Sequence, residues 1–271
     1  MGGNLTHFIV VLLLLLTSSH INAASLDELR AKAESGDAAG QYAYAEELGW
    51  NFGNMEMGIP WWKKSAAQGY PFAVIGLAEI ELFQISIHFP DNAESKEAEY
   101  FQENCPRLTQ AIDKIKTMST PEAFYNLADV YDNGICVEAD HNLARSLYLK
   151  AAEMNHGPSQ LRLANMAGVE NLPEHVKWLS KAAENNMLRA KAQIATYYFQ
   201  GKGVEKNERK AQAYIKELEE SGSPMALTLL GRWYEKGRNG LPHDPEKAKS
   251  LLKRAAAMDY EPAAKLLDKL Q

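Results

Sequence analysis

Apolar and small residues recur along this chain at spacings of three and four, which is the period of one face of an α-helix. The clearest stretch runs from Ala123 through Leu127 to Gly134, and the same order of residues recurs at 190–201 and 226–237. In each stretch an alanine is followed by a large apolar residue with a small neighbour, then by an aromatic residue, then by glycine. Glycine directly after an apolar helical face is a typical helix stop. Each stretch therefore predicts one helix.

Each of these stretches is followed by a loop and a second helical pattern. A shortened unit between the first two stretches adds a fourth second pattern, and the four end near Lys150, Lys181, Lys216 and Arg254, at steps of 31, 35 and 38 residues. Small residues on the facing sides allow two helices to approach closely, so each unit predicts a helical hairpin. One hairpin buries too little apolar surface to offset its loss of conformational entropy, and the hairpins must therefore stack on their neighbours.

The pattern divides the chain into about six such units. Irregular units are expected over residues 38–118 and regular units over residues 121–260. Residues 261–271 are expected to form a C-terminal capping helix, and the stretch Leu26–Glu34 is expected to cap the other end. Together these segments predict an all-α protein in which terminal helices cover the exposed faces of the stack.

Two segments carry the residues of a known repeat. Gly201-Lys202-Gly203-Val204 is followed by Lys210-Ala211, and a run of Ala, Leu, Gly, Arg, Trp, Tyr and Gly residues occupies 226–237. These residues resemble Sel1-like repeats, which are related to tetratricopeptide repeats, and the chain is similar to exported bacterial proteins of that type. The resemblance implies a right-handed α-solenoid with the first helix of each pair lining a concave surface. It also implies partner binding rather than catalysis.

The concave positions of the resemblance fall on first-helix residues just beside the apolar stripe. The predicted partner-binding residues, unit by unit, are Tyr42, Glu46 and Trp50; Ile75, Glu79 and Phe83; Glu122, Tyr125, Asp129 and Asp132; Arg189, Thr196 and Phe199; Thr228, Arg232 and Lys236. Aromatic rings beside carboxylates suit a partner with basic and apolar groups. The hypothesis is that Tyr42, Trp50, Phe83, Tyr125 and Asp129 form the recognition surface. The alternative is that these rings belong to the core and the acids form a solvated face.

The distribution of charged residues agrees with a groove whose charge changes from negative to positive along its length. The net charge is −6, but residues 24–140 carry 8 basic and 20 acidic side chains, whereas residues 141–271 carry 21 basic and 15 acidic ones. An acidic chain is not expected to bind nucleic acid, because such binding depends on contacts of basic residues with phosphates. The expected partner is therefore another protein.

The N-terminus carries an apolar run over residues 8–16. A helix needs about 20 apolar residues to cross a bilayer, so a run of about half that length predicts a signal peptide rather than a membrane span. We expect residues 1–23 to be the signal peptide and residues 24–271 to be the exported solenoid. The predicted location is periplasmic or secreted, with no stable membrane anchor after cleavage.

The two cysteines are expected to form one disulfide bond. Cys136 lies in the loop between the two helices of the third unit, and Cys105 directly precedes Pro106, which is expected to open the second helix of the second unit. In a stacked solenoid these two places are neighbours, so a Cys105–Cys136 bond is predicted; two buried free thiols are the alternative. An insertion near Ile85 to Asn104 is expected to break the stack.

The sequence contains few local motifs that would indicate catalysis or metal binding. The histidines are not spaced for a locally assembled metal site, and neither a metal nor another cofactor is expected. Asp140 and Asp244, which precede His141 and His243, are interpreted as helix caps. The Trp61-Trp62 pair is interpreted as packing.

The sequence therefore predicts an exported, non-catalytic interaction module. One version of this prediction is a periplasmic immunity protein that neutralises a secreted antibacterial toxin such as a lipase effector. The alternatives are a secreted scaffold or host-directed adaptor and, further from the pattern, an enzyme that binds or hydrolyses β-lactams or peptidoglycan. Relatives linked to β-lactam chemistry carry a cysteine pair in each repeat, whereas this chain has two cysteines in total.

Overall fold

A computed structural model describes residues 26–270 of the chain, and the predicted signal peptide (1–23) lies outside these residues. The described part forms fourteen α-helices and contains no strand. In chain order the helices are α1 (Leu26–Glu34), α2 (Ala38–Trp50), α3 (Met55–Ala67), α4 (Pro71–His88), α5 (Ala93–Lys116), α6 (Pro121–Asn133), α7 (His141–Glu153), α8 (Gly157–Ala167), α9 (Leu172–Glu184), α10 (Leu188–Gln200), α11 (Glu208–Glu220), α12 (Pro224–Lys236), α13 (Pro245–Ala256) and α14 (Glu261–Asp268).

Helices α2 to α13 form six successive hairpins, which we call units one to six, and α1 and α14 cover the two ends. Each helix packs mainly against the helices before and after it in the chain, so the molecule is an all-α solenoid, as predicted. The core is continuous along the stack and relies on small residues at close helix contacts. Ala128, Ala195 and Ala152 are completely buried, and a larger side chain at these positions would force the helices apart.

Helix ends follow the signals seen in the sequence. Gly134, Gly201 and Gly237 adopt the left-handed conformation at the ends of α6, α10 and α12. The predicted capping roles of Asp140 and Asp244 are confirmed, because each carboxylate accepts a backbone N–H bond in the first turn of the following helix.

The helices of unit two differ from those that the sequence predicted. The insertion near Ile85 to Asn104 does not interrupt the helices but lengthens both of them, so that α4 has 18 residues and α5 has 24. The second helix opens at Ala93, and Pro106 lies inside it instead of at its start. Proline inside a helix removes one backbone hydrogen bond, a cost that this long helix tolerates because the rest of its length stays packed or solvated.

A disulfide bond joins unit two to unit three. Cys105 in α5 and Cys136 after α6 are bonded at 2.03 Å, with their Cα atoms 5.5 Å apart. No free cysteine is present in the described chain. The bond anchors the elongated hairpin to the regular part of the stack.

The solenoid curves so strongly that unit one touches units five and six. The backbone oxygen of Asn51, just after α2, accepts a bond of 2.5 Å from Ser223 Oγ, and its side-chain oxygen accepts one of 3.4 Å from Leu188 N. Gly53, at φ +71°, lies so close to Met225 that an added Cβ atom would be 2.9 Å from the Met225 Cβ. We call this the closing contact. It places the first helices of the units on the inside of the curve.

Helix α4 is, within residues 26–270, the one helix whose length and composition would allow it to cross a bilayer. Core helices of soluble proteins meet the same criterion, and the N-terminal part of α4 is buried in the stack.

Candidate partner-binding site

The first helices of units one to three converge on a small cavity of about 70 Å³. Tyr42, Glu46 and Trp50 of α2, Glu79 of α4 and Tyr125 of α6 contribute to its wall, together with Trp62 from α3. We call these six residues the acidic cage. Five of the six are predicted partner-binding residues, and the helix period places them on the same inner face.

Glu46 is held by two indole groups. Trp50 Nε1 donates to Glu46 Oε2 at 2.9 Å, and Trp62 Nε1 donates to Glu46 Oε1 at 3.0 Å. Burial raises the pKa of Glu46 to about 7, and the two indole hydrogen bonds limit that rise. The side chain is therefore fixed in place with its charge easily gained or lost near neutral pH.

Glu79 is the most isolated acidic group of the cage. Its Oε1 atom is fully buried and has no hydrogen-bond partner among the described residues. Burial, followed by repulsion from Asp129 and Glu46, raises the Glu79 pKa well above its ordinary value. An unpaired buried acceptor is costly, so a site that retains one has a place for a donor.

A second layer of charge lies next to the cage. Tyr148 donates a short hydrogen bond to Asp129, and Arg162 lies 2.9 Å from Asp132 and 4.0 Å from Asp129. His141 Nδ1 is also 3.0 Å from Asp132. Burial raises the pKa of Asp129 to about 6, against the opposing effects of Tyr148 and Arg162. Arg162 is thus shared between two aspartates, and its charge also opposes the rise of the Glu79 pKa. Its Nε atom is buried and, like Glu79 Oε1, has no hydrogen-bond partner among the described residues.

Trp62 is a cage residue that sequence reasoning missed. Its ring is seated against Gly58, where an added Cβ atom would be only 2.6 Å from Trp62 Cζ3. The packing interpretation holds for Trp61, whose ring meets Tyr44 edge-on at 5.4 Å. For Trp62 it is incomplete, because the buried indole also donates to Glu46. Tyr148 and Arg162 were missed as well, since Tyr148 lies on a second helix, α7, and Arg162 lies on α8, the first helix of the unit for which no partner-binding residue was predicted.

The basic half of the inner surface holds a separate and larger cavity of about 510 Å³. Arg189 and Thr196 of α10 and Thr228 and Arg232 of α12 contribute to it. Tyr260, directly before α14, lines its far side. Four of the six predicted residues of units five and six therefore line one cavity, which is separate from the acidic cage.

Several predicted residues lie elsewhere. Phe83 is 65% exposed on the extended part of α4, and Ile75 is completely buried in the core. Phe199 packs against Gly240, and Lys236 is exposed at the end of α12. Glu122 is half-buried at the start of α6. The proposed recognition set is accordingly divided: Tyr42, Trp50 and Tyr125 share the cage, Asp129 lies behind it, and Phe83 does not line it.

Candidate chemistry elsewhere is limited in residues 26–270. No group of three or more His, Cys, Asp or Glu side chains in this range could hold a metal ion. One Ser-x-x-Lys motif, the spacing of a penicillin-binding nucleophile, occurs at Ser250 and Lys253. Both residues are exposed on α13, a second helix, and neither lines a cavity described above.

The fold and the cage define an α-solenoid repeat protein with a structured inner surface. The Sel1 repeat family matches residues 38–70, 121–156, 176–187, 188–223 and 224–260, which together exceed half of the chain. This protein belongs to the Sel1 repeat family. Proteins built from these repeats generally act as protein–protein interaction modules.

A known protein matches most of this chain in sequence. An uncharacterised protein of Neisseria meningitidis serogroup B is 27% identical over 251 residues; the match covers 85% of this chain and 53% of that protein. The chain thus spans about half the length of this curated relative.

Solved structures with a similar fold include a Sel1 repeat protein from Oxalobacter formigenes, with 24% identity, a TM-score of 0.48, and coverage of 94% of this chain and 71% of that one. Another is a protective antigen of uropathogenic Escherichia coli with an SLR fold, with 23% identity, a TM-score of 0.49, and coverage of 90% and 51%. Family membership rests on the repeat match rather than on these structures.

Proposed function

We propose that this protein is an exported, non-catalytic interaction module that binds a partner protein through its inner surface. The acidic cage contacts basic and apolar groups of the partner, and the cavity beside Arg189 and Arg232 contacts acidic ones. The observation that carries the proposal is the convergence of three first helices on a cavity lined by Glu46 and Glu79, beside which Glu79 Oε1 is buried without a hydrogen-bond partner among the described residues. A merely solvated face would not bury an acceptor without a donor.

Two observations support export to an oxidising compartment. The Cys105–Cys136 disulfide is typical of secreted and periplasmic proteins and rare in the cytosol. The apolar run at 8–16 has the length of a signal-peptide core. The test is the mass of the native protein after cell fractionation. A protein that starts near residue 24 in the periplasm or medium is the expected result, and an uncleaved cytosolic chain would contradict export.

The sharper version of the proposal is an immunity role against an exported toxin such as a lipase. A surface with separate acidic and basic parts suits tight recognition of one partner, because complementary charges exclude other proteins. The test is survival of cells that express the toxin with and without this protein. Protection supports immunity; capture of a partner without protection supports the scaffold alternative. The enzyme alternative predicts measurable hydrolysis of a chromogenic β-lactam, and we expect none.

The binding surface itself is tested by charge reversal. The double variant Arg189→Glu with Arg232→Glu reverses two charges in the basic cavity. Trp50→Ala removes one indole ring from the acidic cage. A matched control, Lys216→Glu with Lys253→Glu, places the same charge change on exposed positions of second helices. We expect crosslinking to the native partner to fall about tenfold or more for the inner variants, and to stay unchanged for the control. Equal capture by all folded variants would place the interface elsewhere.

A further inference from the structure

The acidic cage contains two glutamates and no basic residue. The ionised forms of Glu46 and Glu79 repel one another, and the charge of Asp129 adds to this repulsion. The nearby cation, Arg162, already pairs with Asp132 at 2.9 Å. Arg162 offsets only part of the charge of these three carboxyl groups, so a positive group entering the cavity would stabilise their ionised forms.

The aromatic lining adds a second attraction for a cation. Tyr42, Trp50 and Tyr125 are half-buried and contribute to the same cavity wall. Aromatic ring faces carry negative electrostatic potential and attract cations, most strongly where water is excluded. Carboxylates and rings together favour a ligand with a positive head and an apolar stem.

The size of the cavity limits the ligand to the head of one side chain. A volume of about 70 Å³ holds a few water molecules and is far too small for a helix. A narrow alkyl chain ending in a small charged group fits this limit.

We propose that the acidic cage binds one primary alkylammonium group, the head of a lysine side chain supplied by the partner protein; this inference rests on the proposed function. Glu79 Oε1 needs a hydrogen-bond donor, which a quaternary ammonium does not provide. A guanidinium presents five donors in a rigid fork and needs more free acceptors than Glu79 Oε1 supplies. An ammonium has three donors that can be shared between Glu79 and the outer lone pairs of Glu46.

The test is calorimetric titration of the full-length protein with three small probes. The first is the peptide acetyl-Gly-Lys-Gly-amide, the second is the same peptide with the lysine acetylated, and the third is free butane-1,4-diamine. We expect the lysine peptide to bind with a Kd of about a millimolar, since it buries one side chain. The acetylated peptide should not bind, and the diamine should bind more weakly. Indole N–H signals of Trp50 and Trp62 should shift with the lysine peptide.

Variants of Glu79 show whether the cage is the site. Glu79→Gln removes the charge at nearly constant shape, and we expect affinity for the lysine peptide to fall about 30-fold or more. Glu79→Met is a second variant that avoids burying an unpaired amide. Glu56→Gln, at an exposed position in the first turn of α3, makes the same charge change outside the cage and should leave binding unchanged.

Three results would overturn the inference. They are the absence of binding by the lysine peptide, equal binding of the acetylated peptide, and unchanged affinity in both folded Glu79 variants. Tighter binding of the diamine than of the peptide would overturn the assignment to a partner lysine. If the native partner is still captured equally by wild type and Glu79→Gln, the cage inference fails and the proposed interaction module stands. If no partner is captured by the wild type while the lysine peptide binds, the proposed function fails instead.

Discussion

Units one to three and units five and six are built from the same helical hairpin but use their inner surfaces in opposite ways. In units one to three, acids and rings converge on a cavity of about 70 Å³. In units five and six, Arg189 and Arg232 line a larger cavity of about 510 Å³. The same scaffold therefore carries two cavities with lining residues of opposite charge.

The two halves also differ in the energetic cost of their buried carboxyl groups. The acidic half buries Glu46, Glu79 and Asp129, whose raised pKa values show that their ionised forms are destabilised. In units five and six no carboxyl group among the described residues has a resolved upward pKa shift. The acidic half also carries the disulfide. We infer that a covalent link offsets part of the cost of a polar interior.

The largest effect is expected from removing that link. The double variant Cys105→Ala with Cys136→Ala opens a loop whose ends are 31 residues apart. The free energy of unfolding should fall by about 3 to 4 kcal/mol, because the unfolded chain gains conformational freedom. Urea denaturation measures the total, and hydrogen exchange should place the loss in units two and three.

A matched control for this prediction is Ser95→Ala, at an exposed position on α5. It should change stability by less than about 0.5 kcal/mol. Equal loss of protection in units five and six after cysteine removal would contradict the difference between the two halves.

The next effect compares two helical glycines. At Gly58 an added Cβ atom would be 2.6 Å from Trp62 Cζ3 and 2.9 Å from the Ala45 backbone oxygen. At Gly231 the added atom would be 2.9 Å from Leu252 Cγ and 3.3 Å from the Ala248 oxygen. We expect Gly58→Ala to cost about 2 kcal/mol, because both a wide ring and a backbone atom must move.

Gly231→Ala should cost about 1 kcal/mol less than Gly58→Ala, because the flexible Leu252 side chain can adjust. Both variants gain similar helix propensity, so the difference between them reports packing. Chemical denaturation followed by near-ultraviolet circular dichroism measures both. A larger loss at Gly231 would show that the acidic half is the more adaptable one.

The pH response should belong to the acidic half. Burial raises the pKa of Glu46 to about 7, above its unfolded value, so the folded protein holds a proton that the unfolded chain has lost. Stability should therefore increase as pH falls from 8 to 6, by about 1.4 kcal/mol for this group. Glu46→Gln should remove most of this gain in thermal melting curves.

Below about pH 6 a neighbouring group acts in the opposite direction. Burial lowers the pKa of His156 to about 4, so the unfolded chain binds a proton before the folded protein does, and stability is lost as pH falls through this range. Glu46, and Asp129 with its pKa raised to about 6, continue to add stability in the same range, so we expect His156 to make the rise below pH 6 less steep and not to reverse it. A stability maximum at pH 6, with a clear loss between pH 6 and 5, would contradict this balance.

The smallest effect tests the closing contact. Ser223 caps α12 through Ala226 N and also donates to the Asn51 oxygen of unit one. Asp244 caps α13 in the same way but forms no hydrogen bond with unit one in the described part of the chain. Ser223→Ala should cost about 1 kcal/mol more than Asp244→Ala. Equal losses in thermal melting would show that the contact contributes no stability.

Much of the fold could be predicted because periodicity and stop signals are local. The spacing from Leu127 to Gly134 defines a helix and its end without reference to distant residues. Unit two was harder, because proline is over-represented at the first position of a helix, and only the structure shows that α5 continues through Pro106.

The candidate site could be predicted in part. Tyr42, Glu46 and Glu79 follow from helical spacing plus the family resemblance, and charge counts indicated the change of sign. Trp62 could not be found in this way, because it belongs to a second helix and reaches the cavity only past a glycine. The closing contact was also out of reach: Asn51 and Ser223 are 172 residues apart, and neither lies in a recurring motif.

The closing contact limits what can enter the molecule. With Asn51 fixed to Leu188 and Ser223, the distance between the first and the last hairpins cannot widen unless these bonds break. An open spiral can unwind to surround a folded domain, whereas a joined one keeps its inner surface at a fixed width. Residues that project from the surface of a bound protein, rather than its bulk, would then decide which proteins are recognised.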